Sequence, residues 1–102
     1  MDGPVHARDD DVVERVLAVV EAIPAGRVSS YGDVAAMAGS RAPRMVGQVM
    51  ARYGDGVPWH RVLHSDGTPV PALAARQLAL LAAEGVPARN GRVDMRAVRW
   101  RG

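Results

Sequence analysis

Trp59 stands between Pro58 and the polar pair His60-Arg61 in a chain of 102 residues that contains no cysteine. The lack of a thiol excludes disulfides, thiolate catalysis and Cys-based zinc or iron–sulfur sites. An indole has no lone pair for displacement at saturated carbon, so Trp59 cannot act as a nucleophile. Its place is either the core, the usual fate of tryptophan, or a pocket wall, which the polar neighbours on its C-terminal side favour. The other residues suited to recognition are the basic ones, and all thirteen are arginine. Arginine makes bidentate contacts to phosphate and stacks on bases. Residues 1–26 carry six acids against two arginines and residues 27–102 carry eleven arginines against five acids. That polarity gives the larger part of the chain a basic face suited to phosphate, although the formal net charge is only +2.

These side chains need a scaffold, and 102 residues make one domain with one core. The core must be built from Val, Leu, Ala and Met, because hydrophobic residues are 48% of the chain while aromatics are 4% and Phe is absent. Residues 1–8 lack periodicity and are expected to be a flexible leader, with the domain occupying residues 9–102. Asp11 and Glu14 have capping-box spacing, and Val12, Val13, Val16, Leu17 and Val20 recur at helical spacing, so a first helix is predicted over about 10–22. Ile23-Pro24-Ala25-Gly26 turns the chain. Ser30 and Asp33 are the N-cap and N3 of a short second helix ended by Gly39, and Pro43 opens a third helix with Val46, Val49 and Met50 inward. Two short helices joined by a Gly-containing turn form a helix-turn-helix.

Beyond it, residues 57–63 read as a short extended segment, Asp66-Gly67 as a turn, and residues 72–84 as a fourth helix stopped by Gly85. The tail is either a strand or a short helix capped by Asp94. No apolar run approaches the length of a membrane span and no signal-peptide pattern is present, so a soluble, cytoplasmic protein is expected.

Five segments in this order and spacing, Ile23-Pro-x-Gly26, Ser30-Tyr-Gly32, Arg44-x-Val-Gly47, Pro58-x-His-Arg-Val62 and Leu80-Leu-x-x-Glu-Gly85, resemble the C-terminal domain of the O6-alkylguanine-DNA alkyltransferases. With Trp in the position of the acceptor cysteine, the chain looks most like the alkyltransferase-like proteins. The resemblance covers roughly residues 10–86 and implies a mainly α, winged helix-turn-helix domain. It implies that the third helix enters the minor groove of double-stranded DNA, that Arg44 fills the gap left by a flipped nucleotide, and that Tyr31 supports rotation of the adjacent phosphate. His60 and Glu84 match the relay that activates the family's thiol, and here are expected to be a structural pair.

The lesion pocket is then assigned to Tyr31, Trp59, His60, Arg61, Arg76 and Glu84, and the DNA contacts to Ser30, Tyr31, Arg44, Gly47 and Gln48. Two departures stand out. The family's bracing Asn falls near Tyr53, and the Gly-Gly-Tyr stretch that covers the alkyl group is replaced by residues 68–76. The tail arginines Arg89, Arg92, Arg96, Arg99 and Arg101 contact phosphate or serve solubility.

The expected function is recognition of O6-alkylguanine in duplex DNA by a monomer, without enzymatic repair and with no metal or cofactor. The flagged lesion passes to nucleotide excision repair proteins. The alternatives are a helix-turn-helix transcriptional regulator reading sequence in the major groove, against which the lack of anything resembling a dimerisation element counts, and a hydrolytic repair enzyme in which His60 and Glu84 activate water.

Overall fold

The valine stripe of the first segment forms α1 (Gly3–Ala22). The computed structural model describes residues 3–102, with side chains from Asp11 onward. Val16, Val20 and Ile23 are buried at the centre of one core, with Val12, Val13 and Leu17 at its margin. The helix starts at Gly3 instead of near residue 10, so the part of the expected leader that is described is helical. Nothing there breaks a helix: Pro4 stands in the first turn, where its missing N–H has no intrahelical acceptor to lose. Asp11 and Glu14 are consequently interior to α1 and do not cap it, and Met1 and Asp2 lie outside the described residues. Among the described residues no helix is long and apolar enough to cross a membrane.

The helix-turn-helix forms as the capping signals require. The Asp33 N–H donates to Ser30 Oγ at 3.0 Å and starts α2 (Tyr31–Met37). Gly39, at φ +79°, reverses the chain, and Pro43 is the first residue of α3 (Pro43–Tyr53). These helices pack on each other and on α1. Val34, Ala35, Val46 and Val49 fill the space between them.

Two short strands partition the interior. β1 (Ser29–Ser30) runs parallel to β2 (Val62–Leu63), with Ser29 opposite Val62 and Ser30 opposite Leu63. Successive strand side chains face opposite ways. Val62 therefore enters the three-helix core, whereas Leu63 enters a second cluster with Val28, Leu81, Val86 and Val93. Of the rest of the expected extended segment, Val57 is extended but the signature itself is not. Trp59–Arg61 is a 3-10 turn closed by the Arg61 N–H donating to the Pro58 carbonyl at 3.0 Å, with the fixed φ of proline favouring entry into the turn.

The fourth helix begins with a 3-10 turn at Pro71–Leu73, continues as α4 (Ala74–Ala83), and stops with Gly85 at φ +85°, the left-handed position such an ending needs. Both options for the tail are realised. β3 (Ala88–Arg89) and β4 (Arg92–Val93) form an antiparallel hairpin, and Asp94 caps α5 (Met95–Val98) through the Arg96 N–H at 3.1 Å. The hairpin turn is Asn90-Gly91, both at positive φ (55° and 77°), the conformation of a tight two-residue turn. The hairpin is the wing of the expected winged fold, and Arg99 ties the tail to α2 through two hydrogen bonds to Asp33 at 2.6 and 2.8 Å.

Gly67 holds the wing to the body. It has φ +87°, its carbonyl accepts from the Val93 N–H at 2.9 Å, and a Cβ at this position would overlap the Val93 carbonyl oxygen. Both strain and collision oppose any side chain there. Gly67→Ala is expected to lose about 3 kcal/mol of stability, read as a lower urea midpoint.

Candidate nucleic-acid interface

One face of α3 is left free by the core. Arg44, Gly47, Gln48 and Ala51 lie at i, i+3, i+4 and i+7, and are exposed apart from the half-buried Gly47. Met45, the bulky neighbour of Arg44, turns the other way and packs on the core. Gly47 has an unusual setting for a mid-helix glycine: a Cβ there would meet nothing within 4 Å. No packing inside the protein demands its small size, although glycine costs the helix about 1 kcal/mol against alanine.

Beside this face opens a cavity of about 310 Å³, lined by Gly47, Met50 and Ala51 of α3, by Tyr31 and by Trp59, with Leu73 and Arg76 opposite. Trp59 is a wall, as its flanks favoured. The Arg76 guanidinium lies 5.7 Å from the indole centroid, within cation–π range. Tyr31, the first residue of α2, rests at 5.3 Å between ring centroids against His64, and burial raises its phenol pKa above the ordinary value. The stretch that replaces the family's lid now has a shape: Val70 and Leu73 border the cavity, and Leu73 remains 43% exposed. Gln77, fully buried, fixes this stretch to the signature. Its amide donates to the Val62 and His60 carbonyls at 2.8 and 3.2 Å, while its oxygen accepts from the Val70 N–H at 3.1 Å.

Behind Trp59 the carboxylate of Glu84 is held by three partners. Arg61 grips it through Nη2 at 2.7 Å and Nε at 3.0 Å, His60 Nε2 lies 2.8 Å away, and the Gly26 N–H donates at 3.4 Å. The remaining Arg61 nitrogen, Nη1, donates to the Ile23 carbonyl at 2.9 Å. The Arg61 hydrogen bonds, more than that of His60, pull the Glu84 pKa down to about 2.

Tyr31, Trp59 and Arg76, three of the residues expected at the lesion pocket, line this one cavity, and His60 is paired with Glu84. Four of the expected site residues stand elsewhere. Arg61 and Glu84 do not line the cavity, because they are held in a hydrogen-bonded ion pair behind it. Ser30 is 2% exposed and its hydroxyl is committed to the α2 cap, so it positions Tyr31 and does not itself face outward. His60 stands edge-on to Trp59 at 6.1 Å, outside the cavity lining. Gln77 was missed as a brace, although a glutamine among alanines and leucines was its signal.

The stabilisation from Glu84 is present above its ordinary pKa of 4.5 and is lost as pH falls from there toward 2, because protonation then favours the unfolded chain. Allowing for solvent screening of this partly exposed carboxylate, the loss is on the order of 1 to 2 kcal/mol. Urea unfolding of the parent protein and of Glu84→Gln, followed across this pH range, is expected to show the parent approaching the variant at the acid end.

A family model described as 6-O-methylguanine DNA methyltransferase, DNA binding domain matches residues 11–86. A "DNA base-flipping protein" from Escherichia coli strain K12 is 42% identical over 99 residues, spanning 91% of this chain and 77% of that protein. "Alkyltransferase-like protein 1" of Schizosaccharomyces pombe is 40% identical over 86 residues, 78% of this chain and 80% of that protein. Among solved structures, S. pombe Atl1 in complex with damaged DNA containing O6-carboxymethylguanine superposes with a TM-score of 0.82 at 32% identity, covering 91% of this chain and 97% of that one. A Mycobacterium tuberculosis OGT variant gives 0.65 at 32% identity, over 78% of this chain and 52% of that longer one. With the helix-turn-helix, the Trp59 cavity and the His60–Glu84 pair in place and no cysteine in the sequence, the chain belongs to the alkyltransferase-like branch of the 6-O-methylguanine DNA methyltransferase DNA-binding domain family.

Proposed function

We propose that this protein recognises O6-alkylguanine in duplex DNA by turning the base out of the stack into the Trp59 cavity, and leaves the lesion chemically intact. The cavity carries this reading. At about 310 Å³ it lies at the low end of small-molecule pockets, which begin near ~300 Å³. A single base with a substituent is a ligand of this scale. Extruding a base costs a few kcal/mol of unstacking, and the Trp59 indole, the Arg76 guanidinium above it and the apolar Val70 and Leu73 offer contacts that offset it.

The free face of α3 supports the same reading. Gly47 and Ala51 leave room for a groove floor, which accounts for a glycine that internal packing does not require. Arg44, exposed at the start of that face, has the planar guanidinium needed to stand in for an extruded base. Reaction is unsupported at two points. No thiol exists to accept an alkyl group. A carboxylate held near pKa 2 is also poorly matched to general-base work at neutral pH, which weighs against activation of water by Glu84. A binder that does not react needs an effector, so the protein, acting as a monomer, presents the lesion to nucleotide excision repair proteins.

Titration of otherwise identical duplexes bearing guanine or O6-methylguanine should show tighter binding of the alkylated one with no loss of its alkyl group by mass spectrometry. Equal affinities, or dealkylation, would defeat the proposal. Gly47→Ala should raise stability by up to about 1 kcal/mol while weakening DNA binding, and a variant that gains stability at undiminished affinity would place α3 away from the groove. Arg44→Ala should lose roughly tenfold or more in lesion affinity, on the order of 1.4 kcal/mol, with a smaller loss on undamaged DNA; equal losses would reduce Arg44 to a phosphate contact.

A further inference from the structure

The wing and α5 enclose a second concave surface that the lesion pocket does not use. It is a cleft of about 1090 Å³ bordered by the β3–β4 hairpin, by α5 and by Ser65 and Asp66 of the turn after β2. Arg89, Arg92 and Arg96 line it and all three are exposed. Arg89 and Arg92 are directly opposite in the hairpin register, a placement of like charges that destabilises a strand pair and that the tight Asn90-Gly91 turn makes permanent. Among the described residues none of these three guanidinium groups has a hydrogen-bonded carboxylate, in contrast to Arg61 on Glu84 and Arg99 on Asp33.

Both acids on the cleft are committed elsewhere. Asp94 accepts the Arg96 backbone N–H in the α5 cap, and one Asp66 oxygen accepts both the Thr68 N–H and hydroxyl, although Asp66 also feels the charge of Arg92. The lining contains no aromatic side chain on which a base could stack. Such a surface suits the oxygens of phosphodiesters, which arginine meets bidentately.

A short run of neighbouring residues leads from the lesion pocket to the cleft. Tyr31 borders the pocket, His64 packs on Tyr31, and the next two residues, Ser65 and Asp66, border the cleft. We propose that Arg89, Arg92 and Arg96 form a second DNA-contacting site, which takes the sugar–phosphate backbone of the strand leaving the pocket past Tyr31 and His64. The site deepens the DNA-binding reading given above and rests on it. Because it touches backbone and not bases, it strengthens binding to damaged and undamaged duplex alike.

The test is the salt dependence of binding to guanine and O6-methylguanine duplexes long enough to extend well beyond the lesion on both sides. In the full chain, the triple substitution Arg89→Gln, Arg92→Gln, Arg96→Gln should lower the slope of log K against log salt by about 2 to 3 on both duplexes, with the ratio of the two affinities unchanged. Its thermal midpoint should be equal or higher, since a repelling pair is removed. Arg96→Gln alone, outside the hairpin, should lower the slope by about 1, and the triple Lys variant should retain it. An unchanged slope in the Gln variants overturns the proposal, including the case in which they lose binding only to an acidic repair protein. So does a loss confined to the alkylated duplex. Equal wild-type affinity for the two duplexes would instead remove the lesion reading and leave the slope on undamaged DNA to decide this one.

Discussion

The grip of Arg61 on Glu84 is the contact from which the site takes its shape. Glu84 ends α4, Arg61 ends the signature turn, and the free Arg61 nitrogen and the Gly26 N–H bring in the turn after α1. Three segments far apart in sequence thus share one partly buried ion pair. Burying charge is costly unless the geometry is close and the remaining hydrogen-bonding groups are satisfied, and both conditions are met. One consequence is directional. With Arg61 and His60 turned inward, Trp59 is left on the opposite side of a three-residue turn, where its indole becomes a cavity wall.

The β1–β2 pair performs the complementary task in the apolar interior. Val62 and Leu63 enter different cores within two residues, so a shift by one residue would turn each toward the wrong core and bring Arg61 or His64 into an apolar site. Gln77 prevents such slippage from the other side by spending its whole amide on the backbone of the signature and of the lid. The position of Trp59 is therefore fixed by polar contacts on one side and packing on the other. Little conformational freedom remains to be lost when a ligand arrives, a form of preorganisation.

Electrostatics divide the molecule differently from packing. The inward arginines are neutralised by specific carboxylates and hold structure, whereas the outward ones on α3 and on the wing have no such partner among the described residues. Arginine at one position is thus a brace and at another a recognition group. Side-chain type does not distinguish the two; the location of the carboxylates does.

Much of the scaffold was legible from local signals. Ser30 with Asp33, Pro43, Gly39 and Gly85 each act within a few residues, so the bounds of α2, the start of α3 and the end of α4 followed from capping chemistry alone. The start of α1 did not, because an acidic capping pattern inside a segment with no helix breaker has nothing to terminate. The tail stayed open between strand and helix because strands of two residues cannot display alternation, and the structure uses both. Within the site, the sequence by itself determined what chemistry is impossible, since a chain without cysteine has no thiolate, and which segments take part. The tertiary structure alone decided which way each side chain points. His60 and Arg61 follow Trp59 directly, but their destination depends on Glu84, more than twenty residues away, and a partner at that separation is fixed only when two cores close around the β1–β2 pair.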